Sequence, residues 1–290
     1  MPGIRFHALT GLGVLRCDGP DALTFLQGQL TADLQWLEPD LSTAAAWCSP
    51  QGRVIALLQV TPVAGGLLAV LPRALCPIVA QRLGRFVLRS RVRLIDASGE
   101  SEVAGVSGRE SGSPVSSADL TVLRLPAGRE LWIGPPGRLQ GALAGVPQAP
   151  QGAWELDSIR LGEPQVYAAT SEHWVPQMLN LDLLGAVSFR KGCYPGQEVV
   201  ARTQNLGRIK RRLFRYQVSG NVLPGPGTAL CLGSDRVGEV VRAVRHAGIA
   251  ELLAVVSLDA AGLGLADEGG TVTCSPAPLP YAVPDAEGAP

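Results

Sequence analysis

Residues 191–198 read Lys191-Gly192-Cys193-Tyr194-Pro195-Gly196-Gln197-Glu198, or KGCYPGQE. The segment sets one of only two lysines in 290 residues beside one of six cysteines. Gly192 and Gly196 permit backbone shapes closed to other residues. Pro195 suits the first turn of a helix, and Gln197 and Glu198 suit the positive end of its dipole. Cys193 is therefore expected just before a helix that starts near Pro195. That helix end and Lys191 would both lower a thiol's pKa and raise its reactivity, while Glu198 would oppose them if it faced the sulfur. The alternative is an inert cysteine buried at a loop-to-helix junction.

Working outward, residues 199–234 contain no acidic residue, and 202–215 carry Arg202, Arg208, Lys210, Arg211, Arg212 and Arg215. This run reads either as a solvated basic face where a strand begins or as an anion site for phosphate or carboxylate groups. A second cluster, Arg82, Arg85, Arg89, Arg91 and Arg93, ends in an alternation that fits one exposed strand face. Asp33, in QGQLTADLQW, falls at the expected end of a helix, where a carboxylate opposes the dipole. A partner or ligand amine would remove that conflict; the plainer reading is that Asp33 caps the next turn. The five tryptophans read mostly as core or rim, with one or two able to stack on a flat heterocycle.

The pattern along the chain is α+β. IRFHAL and GVLRC suggest a strand hairpin. Asp21 is a candidate N-cap for ALTFLQGQLTADL, whose Leu23, Leu26, Leu30 and Leu34 recur at helical spacing. AAAWCSP, VIALLQV and GGLLAVLP read as strands, ALCPIVAQRLGRFVL as a helix and RVRLIDA as a strand. Residues 98–118 read as a loop, LTVLRLP and RELWIGP as two strands. The stretch 134–152 is too rich in Gly and Pro for a long element, and AWELDSIRLGE is helical. LFRYQV, TALCLG, RVGEVVRAVR, AELLAVVSLD and TVTCS then follow as short strands at the spacing of a small barrel or sandwich. The last residues, PLPYAVPDAEGAP, read as a loosely held tail.

Composition narrows the function classes. Hydrophobic residues make up 46% and charged ones 17%, ample for a core. Net charge is zero, so bulk electrostatics predict no nucleic-acid or membrane partner. The cysteines, Cys17, Cys48, Cys76, Cys193, Cys231 and Cys274, form no CxxC pair and no Cys/His cluster, which argues against a self-contained zinc or iron–sulfur site. His7, His173 and His246 lack metal-spaced companions. No GxSxG, Walker loop or helix-opening GxGxxG is present. The expectation is a soluble, cytoplasmic protein with free thiols and no metal of its own.

KGCYPGQEVVART…LGRIKR resembles the signature of the YgfZ-type folate-binding proteins, relatives of the glycine-cleavage T-protein that act in iron–sulfur protein maturation. GPDALTFLQGQLTADL, WCSPQGRVIALLQV, WELDSIRLGEP and VPQMLNLDLLGAVSFRKGCYPGQE occur in the family's order. The resemblance implies two ferredoxin-like α+β modules and a C-terminal small β-barrel in a ring-like arrangement. The first module would take 1–46 with 152–206, the second 47–151 and the barrel 207–280, with 281–290 a tail. It implies tetrahydrofolate as cofactor and iron–sulfur client or carrier proteins as partners, with the basic run open to a polyglutamyl tail. It puts Cys193 and Lys191 in the functional motif and Asp33 where aminomethyltransferases keep the carboxylate that acts on the folate amine. Arg160 resembles an arginine near the pterin, and Tyr194, Gly196, Gln197, Glu198 and Arg202 complete the implied folate set. The YTGE-type segment of the aminomethyltransferases is missing; RELWIGP, with Glu130, is the nearest stretch. That absence weighs against the alternative activity, a tetrahydrofolate-dependent one-carbon transferase. A scaffold that has lost folate is the third reading.

Overall fold

A computed structural model describes residues 3–38, 41–109, 120–205 and 209–284. The chain runs β1 (Arg5–Ala8), β2 (Leu12–Asp18), α1 (Ala22–Gln27), β3 (Thr43–Cys48), β4 (Val54–Val63), β5 (Gly66–Pro72), α2 (Cys76–Gly84), β6 (Arg93–Asp96), β7 (Glu102–Ser107), β8 (Thr121–Leu125), β9 (Arg129–Gly134), α3 (Pro136–Ala142), α4 (Ala153–Arg160) and α5 (Gln197–Asn205). It then continues through β10 (Arg211–Ser219), β11 (Ala229–Leu232), β12 (Asp235–His246), β13 (Ile249–Ser257), β14 (Leu265–Asp267) and β15 (Thr273–Ala277). These elements form a four-stranded sheet, a five-stranded sheet and a closed six-stranded barrel. By compactness the chain separates into two units. The first comprises 1–47, 56–151 and 190–194; the second comprises 48–55, 152–189 and 195–290. Among the described residues no helix is long and apolar enough to cross a membrane.

In the first unit, the five-stranded sheet has the order β3-β4-β5-β2-β6. Leu67–Leu71 of β5 form a continuous buried run, as a strand covered on both faces requires. The other sheet has the order β1-β7-β9-β8, with α3 packed on β7 and β9 and a core of Ala104, Val106, Trp132, Leu139 and Leu143. The expected β1–β2 hairpin is absent. Both strands form, but β1 pairs with β7 while β2 pairs with β5 and β6, so each lies in a different sheet. The short Leu9-Thr10-Gly11 link looks like a hairpin turn, yet pairing was decided by partners far away in sequence, Ser107 for Arg5 and Pro72 for Leu12.

Helix α1 is half as long as the leucine spacing predicts. It ends at Gln27, and Thr31 leaves the helix to pair with Ala46, its N–H donating to the Ala46 carbonyl (2.9 Å) and its Oγ1 accepting the Ala46 N–H (2.8 Å). Leu30 and Leu34 keep the apolar spacing because both are fully buried, though not on a helix. Asp21 precedes α1 without a side-chain cap. Its carboxylate instead accepts the Arg91 backbone N–H (2.7 Å) and guanidinium, which hold its pKa below the ordinary range. Arg89, Arg91 and Arg93 are all exposed, as expected, but only Arg93 lies on a strand, at the start of β6.

In the second unit the barrel closes in the order β10-β13-β12-β11-β14-β15. Its core holds Tyr216, Leu230, Val240, Leu252, Ala254 and Val256. Burying a leucine such as Leu252 contributes roughly 2 kcal/mol. Helix α4 packs on β12 and β13. Tyr281, expected in a loose tail, is tied down: its hydroxyl donates to the Gly162 carbonyl at 2.9 Å. Arg208, the stretch 110–118 of the expected loop, and residues 285–290 of the tail lie outside the described residues.

Candidate functional site

The KGCYPGQE motif changes unit at the Tyr194–Pro195 bond. In the first unit, Lys191 is buried, and its three ammonium protons meet three carbonyls: Gln27 (2.5 Å), Leu30 (2.7 Å) and Ala32 (2.7 Å). The ammonium also lies 5.6 Å from the centre of the Tyr194 ring, whose face attracts a cation. Burial pulls the Lys191 pKa down to about 8, and the Asp33 charge acts against that shift. The lysine expected to assist the thiol is thus aimed at the backbone of 27–32.

Asp33 follows that stretch directly. The Gln27 side chain grips it at both ends: Nε2 donates to Asp33 Oδ1 (2.9 Å), and Oε1 accepts the Leu34 N–H (2.7 Å). Asp33 Oδ1 also accepts the Gln35 N–H (3.1 Å). The carboxylate therefore caps the next turn, the plainer of the two sequence readings. It opposes no helix dipole, because α1 has already ended six residues earlier. Gln29 Oε1, on the same loop, is buried and has no hydrogen-bond partner among the described residues. An acceptor left this way costs about 1–3 kcal/mol unless a donor reaches it.

Cys193 is exposed, and it is the only exposed thiol of the six; all six are unpaired. The other five are buried, and burial drives Cys17 and Cys48 up to about 12 and Cys76 and Cys274 up to about 11. Inert core cysteines and one accessible sulfur are thereby distinguished by solvent contact alone.

In the second unit, α5 begins at Gln197 as the motif predicts, and Val200 N–H closes its first turn on the Gly196 carbonyl (3.1 Å). Gly196 has φ +80, and a Cβ there would collide with the Ser49 carbonyl oxygen and lie 2.8 Å from the Gly52 Cα. Gly52, with φ +71, is equally confined: a Cβ on it would sit 2.9 Å from Val199 Cβ. Glycine in PGQE is therefore matched by glycine in SPQGR, because the helix start and the Ser49–Gly52 turn meet backbone to backbone. Gln177 Nε2 braces α5 by donating to the Val200 carbonyl at 2.7 Å.

The remaining candidates have other engagements. Glu198 and Arg202 form an exposed i,i+4 pair on α5. Arg160, at the end of α4, donates through Nε (3.1 Å) and Nη2 (3.0 Å) to Glu251 on β13. Arg215 Nε donates to the same carboxylate at 2.8 Å. Burial raises the Glu251 pKa, but hydrogen bonds from Arg215 and then Arg160 outweigh it and hold the group below the usual carboxylate range. Arg212 is buried in a two-pronged pair with Asp182 (2.8 and 2.9 Å). Within the basic run, Arg212 and Arg215 are thus internal struts, while Lys210 and Arg211 are solvent-exposed. Glu130 is buried, its Oε2 accepting Trp132 Nε1 (2.8 Å) and Arg109 Nη1 (3.0 Å). Among the described residues no group of three or more His, Cys, Asp or Glu could hold a metal ion.

Two sheets with their helices and a closed C-terminal barrel define the fold class. It is the fold of glycine cleavage system aminomethyltransferase T, as in the crystal structure of that protein from Bartonella henselae: TM-score 0.77 at 14% identity, over 97% of this chain and 86% of the other. No protein-family model matches the chain. Among curated proteins it is similar to the tRNA-modifying protein YgfZ of Klebsiella pneumoniae (31% identical over 304 residues, 92% of this chain and 90% of the relative). The same protein of Yersinia pestis is 30% identical, over 91% and 88%, and that of Vibrio vulnificus 27%, over 85% and 80%. The chain belongs to the YgfZ family.

Proposed function

We propose that the protein is a tetrahydrofolate-binding accessory factor for iron–sulfur cluster assembly or repair, with Cys193 as its reacting group. The observation that carries this reading is the single exposed sulfur, held on a segment anchored by Lys191, in a chain that seals its five other thiols. A thiolate is both the nucleophile and the iron ligand. Clusters take four protein ligands, so the Cys193 thiolate, its proton released to solvent, would replace one ligand of a cluster whose other ligands a client or carrier supplies. The relatives are named as tRNA-modifying; a cluster-dependent enzyme of tRNA modification as client reconciles that name with a lone reactive thiol. Six unpaired thiols suit a reducing compartment such as the cytoplasm. Zero net charge favours protein clients over nucleic acid or membrane.

A reduced pterin fits the donor set on the 27–35 loop. Its edge carries N–H donors, and the loop offers acceptors: the Asp33 carboxylate and the unpartnered Gln29 Oε1. When bound, tetrahydrofolate supplies a reduced heterocycle with one-carbon capacity; Asp33 and Gln29 would orient its edge. Aminomethyl transfer has less support, because Glu130 is already occupied by Trp132 and Arg109.

The test is a calorimetric titration with tetrahydrofolate, paired with an assay of cluster-dependent enzymes in cells that carry only Cys193→Ser. Saturable binding with lost maturation is expected. Normal maturation in those cells removes the thiol from the mechanism.

A further inference from the structure

Four of the five tryptophans are buried: Trp47, Trp132, Trp154 and Trp174. Trp36 is 80% exposed. It stands at the corner of a turn closed by the Leu37 N–H to Leu34 carbonyl bond (3.2 Å), three residues beyond Asp33. The backbone leading into that corner is fixed, because Asp33 Oδ1 holds the Gln35 N–H, Gln27 Oε1 holds the Leu34 N–H, and Leu34 itself is fully buried. An indole left 80% exposed on a pinned turn is costly apolar exposure.

We infer that Trp36 is a stacking residue, which covers one face of a planar nitrogen heterocycle whose N–H edge is read by Asp33 and Gln29. The turn offers both parts of such recognition within eight residues: carboxylate and amide acceptors for an edge, and an indole for a face. Asp33 is held in place by its bonds to Gln27 and Gln35, and the indole is 80% exposed. In the proposed function, on which this inference rests, the heterocycle is the pterin of reduced folate. The same chemistry is offered by an unstacked nucleobase, so the two sources need separate arms.

The experiment uses the full chain and its Trp36→Ala and Trp36→Phe variants, titrated with tetrahydrofolate by calorimetry and with unfractionated tRNA by fluorescence anisotropy. Because the side chain is exposed, both variants should keep the wild-type melting temperature, measured as a control. Base–aromatic stacking predicts that Trp36→Ala weakens tetrahydrofolate binding about tenfold or more, with Trp36→Phe recovering most of it. If the wild type binds tetrahydrofolate and Trp36→Ala binds it equally well, the stacking role is overturned and the folate reading stands. If the wild type ignores tetrahydrofolate but binds tRNA in a Trp36-dependent way, stacking is supported and the folate reading fails. If it binds neither, both are overturned.

Discussion

The two halves of KGCYPGQE are held in place by opposite means. Residues 191–194 are fixed by a charge: one ammonium gathers the Gln27, Leu30 and Ala32 carbonyls. Residues 195–198 are fixed by an absence: two glycines let the backbone of Gly196 rest on the Ser49–Gly52 turn. A polar anchor depends on protonation and tolerates small displacements. A steric anchor is indifferent to pH and tolerates no added atom. A motif that needs both ends fixed around Cys193 has one that solution conditions can reach and one that they cannot.

The contrast is most severely strained by Gly196→Ala. A methyl group there meets the Ser49 carbonyl and the Gly52 Cα, at a φ that L-residues avoid, so a loss of about 4 kcal/mol or outright misfolding is expected in urea denaturation. A change under 1 kcal/mol would show that the turn yields and the steric anchor is not rigid. Lys191→Met should cost less, about 3 kcal/mol, since it keeps the apolar stem but strands three carbonyls. It should also speed alkylation at Cys193, because the segment bearing it loses its tether; an unchanged rate would mean that the clamp does not control the thiol's access. Glu251→Gln, remote from the motif, should cost about 2 kcal/mol by leaving Arg215 and Arg160 without their shared carboxylate.

The smallest effect concerns pH. Lys191 has a folded-state pKa of about 8, below the roughly 10.4 of an unfolded lysine. The unfolded chain therefore holds more protons between those values, and stability owed to this group rises with pH across that window. With only two lysines in the chain, side-chain NMR isolates the Lys191 signal, which should titrate with a midpoint near 8. Amides around Gly196 should not follow it. A midpoint above 10 would mean that the carbonyls hold the charge more firmly than burial opposes it.

What the sequence revealed follows the range of the interactions involved. The helix at Gln197 was legible because Pro195, Gly196 and Glu198 are local signals. Five of the six barrel strands were legible from their alternation and turns, whereas β14, three residues in a glycine-rich stretch, gave no signal. The motif's membership of a functional segment was legible; the target of Lys191 was not, because its acceptors lie about 160 residues away in sequence. Adjacency to Cys193 suggested help for the thiol, and folding spent the charge on the backbone. Leu30 and Leu34 suggested more helix for the same reason: spacing records burial, not the hydrogen bonds that end α1.

The uneven distribution of solvent among the thiols has a practical outcome. A mass tag that alkylates sulfur should add once to the native chain and six times to the denatured one. Counting tags therefore reports the folded fraction of any variant, without a label having to be engineered in.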